Sequence, residues 1–480
     1  MVSNRKFFFR SLTIFLLMGL ISFVAGCGGG GGSSPAADNS FRPVVFVHGF
    51  SGSASQFESQ AQRFIANGYP PEYLAVYEHD TGTGAPAPEN QTDGLDEIID
   101  ALLQATGQDR VDLIGHSRGT RLSQAYLSTS ERAAKVAHYV NVDGFPADAL
   151  PGGVPTLALW ADGWLPAGPP ADPYARLIVG ATNVYLLDQS HIQICTSAES
   201  FLEIFNFFNG RNPTTTNIPA ATGNTVKIAG RVLYFPQNAG AVGTLEIFKI
   251  YPVTAQRIGG AIASLAIDST GNWGPVDVEK GSTYEFAFQH TTGSKHYFYR
   301  EPFMTDNYFV RLNTSNPLSP TGLGNFLTKT GNHTNILISR DKEMWGDQQE
   351  ENDLILVDGW SVLTEQAGAR LKHLSGLFLL DWGPVAPDNG LPNISPFNNA
   401  AYYEAHVLGA TDLSAPIAFF HAITFMSGLD IHIPASSPTN RAVAVWMIPR
   451  GGGGKIQYVN VPNWPSNNVR VSVHFRDFVQ

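Results

Sequence analysis

The pattern of apolar and polar positions divides the chain into two halves of different rhythm. From residue 41 to about 210, short apolar runs alternate with stretches of helical spacing. "PVVFVHG" is a buried-strand run, "SQFESQAQRFIANGY" is spaced like a helix, and "YLAVYEHD" is strand-like again. "DGLDEIIDALLQATG" puts Leu95, Ile98, Ile99, Leu102 and Leu103 on one side of a helix that a glycine stops. "RVDLIGHSRG", "VAHYVNVDG", "PTLALWADG" and "TNVYLLDQSH" predict four further strands. The last helix of this half opens on a capping-box pattern, Thr196-Ser-Ala-Glu199. It turns Phe201, Ile204, Phe205 and Phe208 toward a core and ends at Gly210. Strands alternating with helices predict a mainly parallel sheet covered by helices on both faces, an α/β class domain.

Beyond "NGRNPTTTNIPAATG" the runs become short, with the period-two alternation of half-buried strands. Examples are "TVKIAGRVLYF", "GTLEIFKIYPV", "STYEFAFQH", "AVAVWMIP" and "NVRVSVHFRDF". They predict an all-β region of one or two antiparallel sandwiches or barrels, with a seam near Asn316-Pro317. The expected organisation is therefore a signal over residues 1–26, a tether over 27–40, an α/β domain over 41–212, a sandwich-like domain over 225–316 and a β-rich domain over 317–480.

The first residues read as an export signal. Arg5, Lys6 and Arg10 precede an uncharged apolar run over residues 11–24. That run, about 14 residues, falls short of the ~20 needed to span a bilayer. Val24-Ala25-Gly26-Cys27 resembles the lipobox of bacterial lipoproteins, which implies a lipid on Cys27, and "GGGGGSSPAADNS" follows as a flexible tether. The expectation is an exported bacterial lipoprotein at the outer membrane or cell surface, its N-terminal lipid holding a soluble body near a membrane.

Apolar residues make up 43% of the chain, ample for packed cores. The net charge of −11 comes from 30 basic and 41 acidic residues without a Lys/Arg cluster, which excludes nucleic acid as an expected partner. Cys27 and Cys195 are the two cysteines; a lipid on Cys27 leaves no intramolecular disulfide.

The strongest chemical signal is Gly115-His116-Ser117-Arg118-Gly119. It fits G-x-S-x-G and sits between a predicted strand and a predicted helix, the setting of a nucleophile elbow. Ser117 is the expected nucleophile. Serine needs a base, and in this fold the histidine follows the acid in chain order. His138 lies within a strand run and precedes the acid. His191 follows the last strand run and is the expected base. The oxyanion of the tetrahedral intermediate requires backbone N–H donors, expected from Arg118 and from Phe50 in the loop after "PVVFVHG". The Arg118 side chain is expected to pair with a carboxylate. His48 reads as a structural histidine of that loop. Glu78-His79-Asp80 are three adjacent residues that cannot easily converge on a metal, and no metal-ligand spacing stands out elsewhere. No cofactor or metal is expected. For the triad acid two Asp-Gly strand ends compete, Asp143 and Asp162, with Asp148 in the loop between them expected to be solvated.

"FVHGFSGSASQFESQAQRFIANGY", "VDLIGHSRGT", "ERAAKVAHYVNVDG" and "TNVYLLDQSHIQICTSAESFLEIFNFFNG" resemble the α/β-hydrolase lipases. They are most similar to the archaeal long-chain type, whose catalytic domain is followed by a β-rich one. The resemblance implies hydrolysis of carboxylic esters on acyl chains, with a β-domain that helps engage lipid. It places the nucleophile on Ser117, the base on His191, the oxyanion donors on Phe50 and Arg118, and the acid on Asp143, leaving Asp162 as the alternative. It also implies a lid before the nucleophile. Residues 78–93 are the candidate here, and their Gly, Pro and Thr offer little apolar surface for one. Within ester hydrolysis, a polyester depolymerase or cutinase-like activity also fits a tethered enzyme. From another class, a surface binding module that kept the fold fits as well, although a complete set of triad residues argues against it.

Overall fold

The computed structural model describes residues 41–162, 172–319, 323–327, 329–365, 367–368, 373–381, 417–467 and 469–480. The expected signal, Cys27 and the tether lie outside these residues.

Six parallel strands build the first sheet: β1 (Val44–Val47), β2 (Leu74–Tyr77), β3 (Val111–His116), β4 (Val136–Val142), β5 (Thr156–Trp160) and β6 (Thr182–Tyr185). Their order is β2-β1-β3-β4-β5-β6. Side chains of a strand alternate between faces, and β1 shows what this does. Val44 and Phe46 join a core with Phe64 of α1 (Glu58–Ala66) and with Phe201, Phe205 and Phe208. Val45 and Val47 turn the other way, onto Leu95, Ile99 and Leu102 of α2 (Thr92–Thr106) and onto Leu122 and Tyr126 of α3 (Arg118–Leu127). Helices therefore cover both faces, as the alternation predicts. Each buried aliphatic or aromatic side chain contributes roughly 1.5–3 kcal/mol. The strand order reverses direction between β1 and β3, and the crevice outside the carboxyl ends at such a switch point is where open α/β sheets bind ligands.

After α4 (Ser130–Ala133) and α5 (Gln193–Thr196), the helix that closes this half of the chain is α6 (Ala198–Asn209). Ser197, not Thr196, is its cap, and its hydroxyl accepts the Ser200 N–H at 3.1 Å. Thr196 is already used as the end of α5, with its carbonyl bound by Arg63 at 2.6 Å. Gly210, at φ 63°, ends α6 in the left-handed conformation that glycine adopts without strain.

The β-rich region holds β7 (Thr225–Tyr234), β8 (Ala239–Gly240), β9 (Gly243–Ile250), β10 (Ala263–Ile267), β11 (Asn272–Glu279), β12 (Thr283–His290), β13 (Lys295–Arg300) and β14 (Asn307–Thr314). These are followed by β15 (Ile336–Arg340), β16 (Leu354–Val357), β17 (Trp360–Ser361), β18 (Gly376–Leu380), β19 (Met426–Asp430), β20 (Ala442–Ile448), β21 (Gln457–Pro462) and β22 (Val469–Phe475). One eight-stranded sheet, β10-β9-β12-β13-β22-β15-β18-β19, runs through the whole region. At one end it packs against β11-β7-β14, and at the other against β17-β16-β20-β21. Two sandwiches thus share a sheet. The join is β13 to β22, whose parallel pairing unites strands from either side of Asn316-Pro317. The expectation of antiparallel sheets needs correcting: β7–β14, β13–β22, β15–β22 and β18–β19 are parallel. Period two reports which face a residue takes and is silent on the direction of its neighbours.

Candidate active site

Ser117 links β3 to α3 with φ 51° and ψ −122°, a conformation that costs a non-glycine residue about 1–3 kcal/mol. The neighbouring glycines permit it. A Cβ on Gly119 would stand 2.3 Å from the Val47 carbonyl oxygen and 2.5 Å from that of His48. A Cβ on Gly115 would meet the Ser123 hydroxyl at 2.8 Å. β1 and α3 approach so closely that only glycine fits between them.

His191 lies in the loop between β6 and α5. Its Nδ1 donates to Asp143 Oδ2 at 2.6 Å, and both residues are buried. Asp143 follows β4, also with a positive φ of 40°. Its other oxygen accepts the Ala161 N–H at 3.0 Å and the Arg176 guanidinium at 2.8 Å. Burial pushes the Asp143 carboxyl up. The hydrogen bond and charge of His191, the charge of Arg176 and the Ala161 N–H outweigh it and hold the group at about 2. Asp143 therefore stays ionised as the partner of His191. The backbone N–H of Asp162 donates to the Gln189 carbonyl at 3.1 Å, and Asp148 is exposed. His138 is bound to Asp112 at 2.8 Å, within a strand and apart from this pair.

His116, next to the serine, donates through Nε2 to the His191 carbonyl at 2.9 Å, and the two rings lie 4.7 Å apart. Burial lowers its pKa to about 3, so the ring is neutral near pH 7. On the other side lies the loop after β1. The N–H groups of Gly49, Ser51 and Gly52 go to Gln56, Thr81 and the Gly49 carbonyl. The N–H of Phe50 takes no partner among the described residues. The N–H of Arg118 opens α3 and has no acceptor within the helix. The Arg118 guanidinium donates to the Pro86 carbonyl at 2.9 Å. The expected carboxylate partner gives way to a backbone oxygen, because residues 78–93 fold across the start of α3.

Much of the support comes from residues far along the chain that sequence reasoning missed. Asn238, between β7 and β8, donates to His48 Nε2 at 3.1 Å and to the Gly52 carbonyl at 2.9 Å. His48 donates its own Nδ1 proton to the Gly49 carbonyl, which fixes its tautomer. Arg231 and Arg311 bind Glu78 at 2.6 and 2.8 Å, and the buried Glu78 also accepts the Ala54 N–H at 2.9 Å. His79 stacks on His48 at 4.1 Å, while Asp80 accepts the Gly82 N–H. Glu78, His79 and Asp80 thus point to three different places. Around His191, Glu343 accepts the N–H groups of Ile192 and Gln193 at 2.6 and 3.0 Å and the Ser190 hydroxyl. The ties made by Asn238, Arg231, Arg311 and Glu343 span 150 or more positions, so no local spacing announces them.

Residues 42–172 match the family model of the alpha/beta hydrolase fold. They are an α/β-hydrolase domain. Residues 224–317 match the model of the lipase C-terminal domain, and residues 322–406 and 392–479 match a further C-terminal domain model. Among solved structures, the chain is similar to a Listeria innocua protein at 13% identity and a TM-score of 0.29, over 37% of this chain and 97% of that one. It is similar to Aspergillus fumigatus lipase B at 11% and 0.29, over 38% and 55%. A thermophilic esterase from Thermogutta terrifontis follows at 16% and 0.27, over 35% and 90%. These likenesses are too remote to add to the assignment.

Proposed function

We propose that this α/β-hydrolase is a serine ester hydrolase of the lipase or carboxylesterase type, working through an acyl-enzyme on Ser117. The observation that carries the reading is the buried 2.6 Å pair of Asp143 and His191, whose histidine contacts His116, the chain neighbour of a serine held at positive φ. In the proposed cycle the Ser117 oxygen attacks the ester carbonyl while His191 takes the hydroxyl proton. Asp143 holds the other ring proton and stabilises the imidazolium that forms. The N–H groups of Phe50 and Arg118 receive the oxyanion. Collapse breaks the alkoxy bond, and the leaving alcohol takes the proton from His191. Water then repeats the sequence, releasing the acid and restoring Ser117.

An apolar cavity favours acyl substrates. Phe50 and Ile192 of the hydrolase domain and Phe235, Leu337, Phe378 and Phe425 of the β-rich region line it, with Arg311 and Asp341 also on its wall. Phe425 also stacks near His191, with ring centroids 6.3 Å apart. In this reading the acyl chain lies there, and a lipid on Cys27 keeps the enzyme beside its substrate at a membrane.

The test is hydrolysis of nitrophenyl esters of rising chain length. Ser117→Ala should abolish turnover, and equal activity in both proteins would sink the enzymatic reading. Leu337→Trp should slow long-chain esters far more than the acetate; an equal effect on both would remove the cavity from the proposal. Palmitate labelling that persists in Cys27→Ala would discount the anchor.

A further inference from the structure

We propose that His333, Asp381 and His432 form a site for a divalent transition cation of the zinc class, at one edge of the eight-stranded sheet. β18 runs antiparallel to β15 and parallel to β19. The residues just before β15, just after β18 and just after β19 therefore share one edge. The Ile431 N–H donates to the Leu380 carbonyl at 3.0 Å and the Thr334 N–H to the Ile433 carbonyl at 2.8 Å, so backbone pairing continues through the site. The three side chains thus project from hydrogen-bonded strand ends, the kind of rigid platform that metal geometry needs.

Asp381 Oδ2 lies 2.7 Å from His432 Nδ1 and 3.7 Å from His333 Nδ1. One ligand atom from each of the three lies within 4.8 Å of the others. Donors on a tetrahedral zinc stand about 3.4 Å apart at ordinary bond lengths, so small side-chain rotations bring this set onto one ion. His333 and Asp381 are buried, while the His432 side chain is 27% exposed and gives a path from solvent.

The surroundings of His333 orient it as a ligand. The Ser466 hydroxyl lies 3.1 Å from His333 Nε2, accepts the Thr330 N–H at 3.0 Å and donates to the Thr330 carbonyl at 3.2 Å. Its proton is committed to that carbonyl, so Nε2 must carry a proton and Nδ1 a lone pair. An outer partner that fixes the tautomer is the usual companion of a metal-bound histidine. The Thr330 hydroxyl, 3.2 Å from Nδ1, also accepts the Asn332 N–H and can turn aside when the ion binds. Two imidazoles with one carboxylate suit zinc and its neighbours better than calcium or magnesium, which prefer all-oxygen shells. Binding displaces the proton between His432 and Asp381 into solvent and leaves a fourth position for water. The three ligands come from three separate strands, which is why no short spacing in the chain betrays them.

The experiment uses the untagged full chain, stripped with EDTA and titrated with ZnCl2 by calorimetry in two buffers of different ionisation enthalpy. The expected result is one equivalent bound with a dissociation constant below about 1 µM, with proton release and a higher melting temperature. Asp381→Asn and His432→Ala should weaken binding at least about 100-fold, and Ser466→Ala about 10-fold or more. Cobalt absorption on the unaltered chain should show the d–d bands of a tetrahedral site, which keeps the proposal testable if a variant misfolds. No saturable binding to the unaltered chain, or unchanged affinity in folded Asp381→Asn and His432→Ala, would overturn the site and leave a hydrogen-bonded cluster only.

Discussion

Glu343, which follows β15 in the β-rich region, accepts the backbone N–H of Ile192 at 2.6 Å, one residue beyond His191. The same buried carboxylate takes the Gln193 N–H and the Ser190 hydroxyl, so the loop is gripped on both sides of His191. Burial pushes the Glu343 carboxyl up, but hydrogen bonds and charge from His373, Ser190 and Ile192 hold it well below the usual range. Removing it leaves buried donors unpaired, at about 1–3 kcal/mol each. Glu343→Ala should lower kcat on nitrophenyl acetate about 10–100-fold, with KM within about threefold. Glu343→Gln, which keeps one carbonyl acceptor, should recover much of the loss. An unchanged kcat in folded Glu343→Ala would show that the loop holds His191 without it.

The choice between the two Asp-Gly strand ends leads to a paired test. If Asp143 orients His191, Asp143→Asn should lower kcat by about 10⁴, by analogy with the protease triad. Asp162→Asn should change it by no more than about threefold. Both are read from steady-state kinetics alongside melting curves. The reverse pattern would transfer the acid role to Asp162.

What the sequence discloses here is local, and what it conceals is long-range. Gly115 and Gly119 around Ser117, together with the strand-to-helix change of period, mark the elbow before any coordinates are seen. His191 follows from its place after the last strand. Asp143 and Asp162 look equivalent, because both close an apolar run with Asp-Gly, and the resemblance to lipases tips the choice that spacing leaves open. Asn238, Glu343, Arg231 and Arg311 carry no such mark. Each acts on a hydrolase-domain residue 150 or more positions away, and a short window reads them as ordinary strand or loop positions. The same holds for the parallel pairing of β13 with β22, which depends on chain paths rather than on side-chain period.

His116 gives a pH dependence with a definite sign. Burial lowers its pKa from 6.5 to about 3 in the folded chain. The unfolded chain therefore takes up this proton first as pH falls. The neutral ring's contribution to stability is intact above about 6.5 and is lost progressively down to about 3. By pH ~5 the loss is about 2 kcal/mol, at 1.36 kcal/mol per unit. His116→Gln keeps a donor for the His191 carbonyl and does not titrate. The melting temperature of the unaltered chain should fall relative to His116→Gln on going from pH ~7 to ~5. A constant difference would mean that His116 does not titrate with folding.

The left-handed serine predicts a conflict between stability and activity at a single position. Ser117→Ala and Ser117→Gly both remove the hydroxyl, so both should be inactive on esters. They differ in the backbone. Alanine keeps the cost of positive φ, about 1–3 kcal/mol, whereas glycine removes it and returns about 0.5–1 kcal/mol as extra entropy of the unfolded chain. The balance favours glycine by about 1 kcal/mol. Ser117→Gly should therefore melt about 1 °C above Ser117→Ala. Comparing the two inactive proteins isolates the strain from the chemistry. If alanine melts as high as glycine, the turn at φ 51° is not strained.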